Sequence, residues 1–326
     1  MILKINLFNF YYQIFIKIFP NLTLKILIAL KKKILPLSKK KKIIFSMHSL
    51  FINDNFKIYI AETKKVGSKF IHAMHGGGLA FKFDGRFNFF KKVSNKMIMY
   101  DNTIKDQNTF VNLSPTQPTI KLKDSKIGND CSIIFSENIR YLFKFEQWPT
   151  LEQTIDFFNE LVQFIDKLNP EIKSKVKFRV KRNCGYNTQK RFSEIFGEKK
   201  IDKFSINNPF SKTLSNSKLI IATYAQTAFS EAMHANTPTI LIIKKDHWQF
   251  SKAALDTFEV LKKNYIAFDN FDEAKNHINK HWEELSIWWN NENVQFARKI
   301  YLSNFFNVKA NWYKEWSDYI YFSKQL

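Results

Sequence analysis

A two-domain α/β chain built on parallel sheets and closed by a helical tail is what this sequence predicts, and three observations carry that prediction. Length comes first, because 326 residues exceed what one hydrophobic core fills before a chain splits. Second, short apolar runs alternate with helix-length segments, which is the mark of βαβ units. Third, five of the seven Trp lie beyond residue 280, at Trp282, Trp288, Trp289, Trp312 and Trp316, a crowding that anchors terminal helices in a large contact.

The first 42 residues stand apart. Between residues 5 and 19 the polar positions Asn9, Gln13 and Lys17 fall four apart, one narrow stripe on an otherwise apolar helix. Pro20 ends it, Asn21 can cap a second helix, and Lys31 to Lys33 with Lys39 to Lys42 follow as exposed charge. Ten Lys and no acid fall in this segment. Two readings stay open, a core-packed helix with a solvated basic tail, or a helix lying in the membrane interface with its lysines on anionic headgroups. The longest uncharged stretch, Ile5 to Ile16, is twelve residues where roughly twenty are needed to cross a bilayer. No A-x-A-like cleavage site follows it, so neither a span nor export is expected.

Residues 43–115 form the first predicted domain. Runs IIFSM (43–47), KFIHAM (69–74) and KMIMY (96–100) read as strands, with a helix over 54–65 between the first two. From Asp101 to Asp130 periodicity fades and Ser, Thr, Asn and Pro accumulate, including Pro115 and Pro118, so the linker falls there. The second domain, 116–280, opens with strand CSIIF (131–135). A helix follows Thr150, where Thr150 and Gln153 make the S/T-x-x-E/Q capping pattern. Strand KVKFRV (175–180), a helix from about Asn187, strand KLIIA (218–222), a helix from about Ala225 and strand TILII (239–243) complete a doubly wound pattern. Residues 281–326 are predicted helical.

Composition narrows the function. Apolar residues make up 45%, charged 25%, and Phe alone numbers 34, which describes a globular protein with a substantial core. Two cysteines, Cys131 and Cys184, give neither a disulfide framework nor a CxxC zinc pair, so a reducing cytoplasm is expected. A net charge of +22 attracts polyanions, anionic lipid or phosphate-bearing ligands. Absence of a helix-turn-helix, zinc-finger or RNP aromatic pattern argues against nucleic acid. The seven His show no H-E-x-x-H or other close ligand spacing, so neither a metal nor a cofactor is expected.

Two motifs carry chemistry. His75-Gly76-Gly77-Gly78 follows a predicted parallel strand directly, where glycines let backbone amides approach a ligand at the strand's carboxyl end. His75 there has the acid-base type suited to a hydroxyl proton or a phosphate. HGGG also occurs in the oxyanion loop of lipases, but no G-x-S-x-G elbow exists in the chain, and the hydrolase reading fails. The second motif runs from Thr223 to Glu231 (TYAQTAFSE), between one buried strand and the next. Thr223, Gln226 and Thr227 gather at a helix start, where free N–H groups and the dipole favour a phosphate. Glu231, four residues past Thr227 on the same face, suits ribose hydroxyls. An ordinary capped helix and a plain glycine turn are the structural alternatives. Arg179, with Lys181 and Arg182, could neutralise a diphosphate, and His247-Trp248 could face a nucleotide base. A solvated strand end explains the three basic residues at least as well, and packing explains His247-Trp248 equally well.

These residues resemble a transferase family found in bacterial O-antigen and surface-carbohydrate gene clusters. The resemblance is carried by Phe56 to Gly78, Ser217 to Ile240, His247-Trp248, the WW-N-x-x-x-V-Q-x-A-R stretch from Trp288 to Arg298, and Asn311-Trp312. It covers most of the chain from about residue 40. It implies two Rossmann-like domains of glycosyltransferase-B type, the first one truncated because family members carry a longer region before the segment matching 1–42. It further implies a metal-independent enzyme moving a sugar from a nucleotide-linked donor, bound mainly by the second domain, to a carbohydrate or lipid-linked acceptor. The ten lysines of residues 1–42 are expected to bring it to the inner face of the cytoplasmic membrane. Two departures stand out, Lys181-Arg182 where the family shows a histidine and an acid, and Tyr100 in place of tryptophan. A CDP-polyol-type phosphotransferase, a catalytically silent nucleotide-binding partner and a basic nucleic-acid binder are the competing readings.

Overall fold

The computed structural model describes residues 29, 41–76, 85–104, 106–116, 128–136, 149–180, 185–248 and 250–323. Expectations for residues 1–28 and 30–40, Gly77, Gly78, Lys181 and Arg182 lie outside the described residues. Two parallel sheets organise the rest.

In the first sheet, β1 (Ile43–Ser46), β2 (Lys69–Ala73), β3 (Lys96–Met99) and β4 (Phe110–Asn112) follow one another in space as in sequence. Helices α1 (Ser49–Ile52) and α2 (Asp54–Lys65) cross from β1 to β2, and α3 (Gly85–Val93) crosses from β2 to β3. The Asn53 side chain accepts a hydrogen bond from Phe56 N at 3.0 Å and starts α2 where the polar-to-apolar change predicts it. Burial on β2 is nearly continuous from Phe70 to Ala73, as strands of parallel sheets require. His72 sits within that run with its ring 4.5 Å from Phe90, and burial depresses its pKa to about 4, keeping it neutral. Strand β4 lies within the first predicted domain, in the stretch after Asp101 where periodicity fades and no strand is predicted. Met97 and Phe110 pair across β3 and β4, and that tertiary contact overrides a locally polar stretch with little strand propensity of its own.

The second sheet has the order β6-β5-β7-β8-β9, with β5 (Asp130–Phe135), β6 (Val176–Val180), β7 (Ser217–Ala222), β8 (Thr239–Ile242) and β9 (Ala267–Phe268). Its helices are α4 (Leu151–Asp166), α5 (Pro170–Lys175), α6 (Thr188–Phe196), α7 (Phe210–Asn216), α8 (Thr227–His234), α9 (Lys252–Lys263) and α10 (Phe271–His281). Helix α4 begins with the capping box read from sequence, Gln153 N to Thr150 Oγ1 and Thr150 N to Gln153 Oε1. It then buries Phe157, Phe158, Leu161, Phe164 and Ile165 on one face. Phenylalanine fills this core, with Phe178 stacked on Phe192 at 4.2 Å and Phe135 edge-on to Phe192 at 5.6 Å, an arrangement worth more than its buried area alone. Helices α3, α5, α7, α9 and α10 and the two-residue strand β9 are not among the elements the sequence predicts. Of these, α3, α5, α7 and β9 are short, whereas α9 and α10 carry caps at Ser251 and Asn270 that the sequence reading missed.

The tail forms α11 (Leu285–Trp289), α12 (Glu292–Phe305) and α13 (Trp312–Ser323). Helices α11 and α12 join the core of the second sheet through Trp288, Trp289, Val294, Ala297, Tyr301 and Phe305. Helix α13 instead returns to the first sheet, where Trp316 joins the core beside Ile44 and Met97. Ser114 fixes that return with three groups, its N to Glu315 Oε2, its Oγ from Lys309 N and its O from Trp316 Nε1, at 2.9, 3.1 and 2.7 Å. Among the described residues, no helix is long and apolar enough to cross a membrane.

Candidate active site between the two sheets

Strands β1 and β2 are parallel neighbours, with Ser46 opposite His72, so the turns leaving them emerge side by side. The turn after β2 is held from two directions. Met74 N donates to Ile98 O at 3.0 Å and the Tyr100 hydroxyl donates to Met74 O at 3.3 Å, which delivers His75 to an exposed position. After β1, Ser46 Oγ accepts from Ser49 N at 3.0 Å and starts α1 just past His48. The two rings meet with centroids 4.5 Å apart. His48 is thus a site residue that the sequence reading missed. A strand followed by histidine, the pattern that marks His75, also marks it.

Gly76 turns the chain with φ +77, a left-handed conformation open to glycine at no steric cost. A Cβ at Gly76 would stand 2.4 Å from Thr227 Oγ1. The turn of the first sheet therefore touches the first residue of α8 in the second. Two motifs 151 positions apart in sequence meet in one place. Gly76→Ala should lower stability by roughly 1 to 3 kcal/mol, from the left-handed backbone and the clash together. In a double-mutant cycle read by denaturant melts, Thr227→Ala should recover the clash part of that loss. Strictly additive effects would mean that the two residues do not touch in solution.

Helix α8 starts as the sequence predicts, though two residues later than Ala225. Gln226 is extended (φ −130, ψ −159) at the cap position and its side chain makes no capping bond, leaving the first turn facing the contact with Gly76. Glu231 lies one turn deeper and half-buried. Burial first and the Glu231 carboxylate second push the Tyr224 hydroxyl up, with Arg179 opposing. Thr223 is committed to the fold. Its N and Oγ1 both donate to Ile134 O, at 3.1 and 3.0 Å, joining the ends of β7 and β5.

Arg179 is a correction. It was expected to face a diphosphate, but its side chain is 5% exposed and its guanidinium is spent internally. Nη1 donates to Asp202 Oδ2 at 3.1 Å and Nη2 to Asn208 O at 2.8 Å, because a buried charge needs both a counter-charge and its hydrogen bonds. His247, in the turn after β8, is also buried, and its Nδ1 has no hydrogen-bond partner among the described residues. Burial lowers its pKa against the pull of Asp246, so the imidazole is neutral.

The far end of α8 is clamped by the tail. Arg298 Nε donates to Met233 O at 2.6 Å, Nη2 to His234 O at 3.2 Å and Nη1 to Gln295 Oε1 at 3.0 Å, placing a cation on the last carbonyls of the helix. Trp289 Nε1 donates to Asn236 O at 3.0 Å, past the helix end where Asn236 is left-handed (φ 58). Midway along, Ser230 Oγ and Tyr301 Oη share a hydrogen bond of 2.7 Å. The W-W-N-x-x-x-V-Q-x-A-R stretch is therefore the device that aims α8.

A transferase family model matches residues 3–320, nearly the whole sequence. The chain belongs to the LIC12162 family of transferases. No curated protein matches this LIC12162 family transferase. Among solved structures, it is similar to an S. aureus TarM mutant in complex with fondaparinux, α-GlcNAc-glycerol and UDP. The TM-score is 0.52 at 14% identity, covering 90% of this chain and 58% of TarM. Anabaena HepE in complex with UDP and glucose gives 0.52 at 9% identity, covering 89% of this chain and 80% of HepE. S. aureus MnaA with UDP gives 0.50 at 10% identity, covering 85% and 76%. The family member thus spans less than three fifths of TarM's length. At these identities the likeness establishes the fold, which is that of the GT-B glycosyltransferases, two Rossmann-like units facing each other.

Proposed function

We propose that the chain is a glycosyltransferase that moves a sugar from a nucleotide-linked donor to a carbohydrate or lipid-linked acceptor destined for the bacterial surface, working at the cytoplasmic side of the membrane. The approach of Gly76 to Thr227 carries this reading. It puts an acid-base group from one sheet beside an anion-attracting helix start from the other, which is the arrangement group transfer between two bound substrates needs.

In this reading the donor diphosphate rests on the first turn of α8, held by Gln226, Thr227 and the Gly76 amide, while Glu231 takes the ribose hydroxyls. The helix dipole offsets the diphosphate charge without a metal ion. His75 removes the proton from the acceptor hydroxyl as that oxygen bonds to the anomeric carbon. The bond from that carbon to the diphosphate breaks, and the nucleoside diphosphate leaves toward α8. The relatives solved with UDP make a uridine diphosphate sugar the first donor to try, ahead of a CDP-polyol.

Glu231→Ala should weaken nucleotide binding by roughly 1.5 to 3 kcal/mol, the worth of a hydrogen bond to a charged group, while the melt stays cooperative. Calorimetric titration with UDP checks it. Unchanged affinity in the variant would remove Glu231 from the donor site.

A further inference from the structure

Beside β6, the edge strand of the second sheet, Ile201 makes a single parallel bridge to Phe178, and the chain then reverses between Ser205 and Asn208. Asn208 N donates to Ser205 O at 3.1 Å, leaving Ile206 and Asn207 at the corner of a tight turn. The stem of this loop is fixed from inside. Arg179 holds Asp202 and the Asn208 carbonyl, and Asp202 also accepts from Thr213 Oγ1 at 2.5 Å and from Asn208 Nδ2. Phe204 lies over the Arg179 guanidinium at 5.3 Å. The tip, by contrast, is uncovered. Ile206 is 98% exposed and Phe204 67%.

The surroundings of that tip are basic. Lys199, Lys203 and Lys212 flank it in sequence, against Glu198 and Asp202, while the Lys200 ammonium is held on the Ser174 carbonyl. The Asp202 charge is already matched by Arg179 and that of Glu198 by Lys203, at 2.6 Å. Two apolar side chains on a rigid stem, with Lys199 and Lys212 to either side in sequence and both neighbouring acids matched, form a surface of definite chemistry.

We propose that this loop docks on an anionic membrane, with Phe204 and Ile206 entering the boundary between headgroups and acyl chains and the lysines meeting lipid phosphates. Size favours lipid over a protein partner. A stable protein interface buries about 1,200 to 2,000 Å², far more than two side chains offer, whereas shallow insertion needs only an apolar tip and a basic rim. Pre-ordering of the stem by Arg179 removes the entropy cost of fixing the loop at the bilayer. Docking through this loop requires nothing of the catalytic chemistry, and its failure would leave the transferase reading untouched.

The test uses the full chain with vesicles of phosphatidylcholine, with and without phosphatidylglycerol, at physiological salt. Ile206→Asp touches no packed contact, so its melting curve should match the parent's, while its partition onto anionic vesicles should fall about tenfold or more. An environment-sensitive fluorophore on Ile206→Cys, in a Cys184→Ser background, reports insertion directly. Cys131 is buried and its thiol is pushed up to about 12, so labelling falls on the new cysteine. Brightening and a blue shift on anionic vesicles are the expected result. Vesicle binding without any change in the fluorophore, or partition unaltered by Ile206→Asp, would overturn the loop as the contact and move it to residues 1–42. A fluorophore that responds to protein concentration instead of lipid would assign the tip to a second copy of the chain.

Discussion

His75→Ala should reduce turnover by about 10² to 10⁴, the usual contribution of a positioned general base, with donor affinity changed little. The expectation follows from placement. The His75 ring leaves the carboxyl end of β2 exposed and next to His48, while Gly76, the next residue, touches Thr227 at the mouth of α8. A hydroxyl lying between the two sheets can reach the imidazole while a diphosphate lies on the helix start. Because the side chain is exposed, its loss removes little packing, and the melting temperature should stay near that of the parent. Single-turnover rates with saturating UDP-sugar, beside UDP affinity for the same variant, separate the possibilities. Turnover close to the parent's would dismiss His75 as base. Loss of UDP binding would make the turn a phosphate cradle and send the search for the base to His48.

Arg298→Ala should be the most damaging substitution for stability among those considered. Three hydrogen bonds from one guanidinium end on Met233 O, His234 O and Gln295 Oε1, and removing it strips the charge from the carboxyl end of α8. With hydrogen bonds to charged groups contributing about 1.5 to 3 kcal/mol and the helix-end interaction a further fraction, a loss of about 2 to 4 kcal/mol is expected. That corresponds to a fall of roughly 5 to 15 °C in melting temperature. Arg298→Lys keeps the charge and loses the planar fork, so it should fall between. The helix it aims carries the proposed donor site, and UDP affinity should drop alongside stability. A melting temperature unchanged in Arg298→Ala would show that the clamp contributes nothing in solution.

Elements with a strong local pattern were legible in the sequence. Thr150 with Gln153 announced α4, and the run from Asp54 to Lys65 announced α2, because each pattern is complete within one or two turns. Strand β4 was not legible. Phe110, Val111 and Asn112 become a strand only through Met97 and its neighbours, which the local sequence does not reveal. Arg179 was misread for a related reason. A strand-end arginine looks available until Asp202 is found 23 residues later, folded back by a turn that no local pattern signals. At the site, the glycine requirement at Gly76 could be read, but its cause could not, since that cause is a threonine in the other sheet. Arg298 entered only as part of a stretch shared with a family, and its work on α8 is visible only in three dimensions.

The return of α13 to the first sheet has a consequence for how the chain is made. Trp316 completes a core begun at Ile44 and is bonded to Ser114, 202 residues earlier. At ribosomal speeds of about 5 to 20 residues per second, Ser114 waits on the order of 10 to 40 s for its partner. Throughout that interval the first sheet is without the buried Trp316, and β5 to β9 wait likewise for Trp289, Tyr301 and Phe305 of the tail. Neither core therefore reaches its native packing until the tail has been made, and the two sheets are completed at nearly the same moment although they leave the ribosome in sequence.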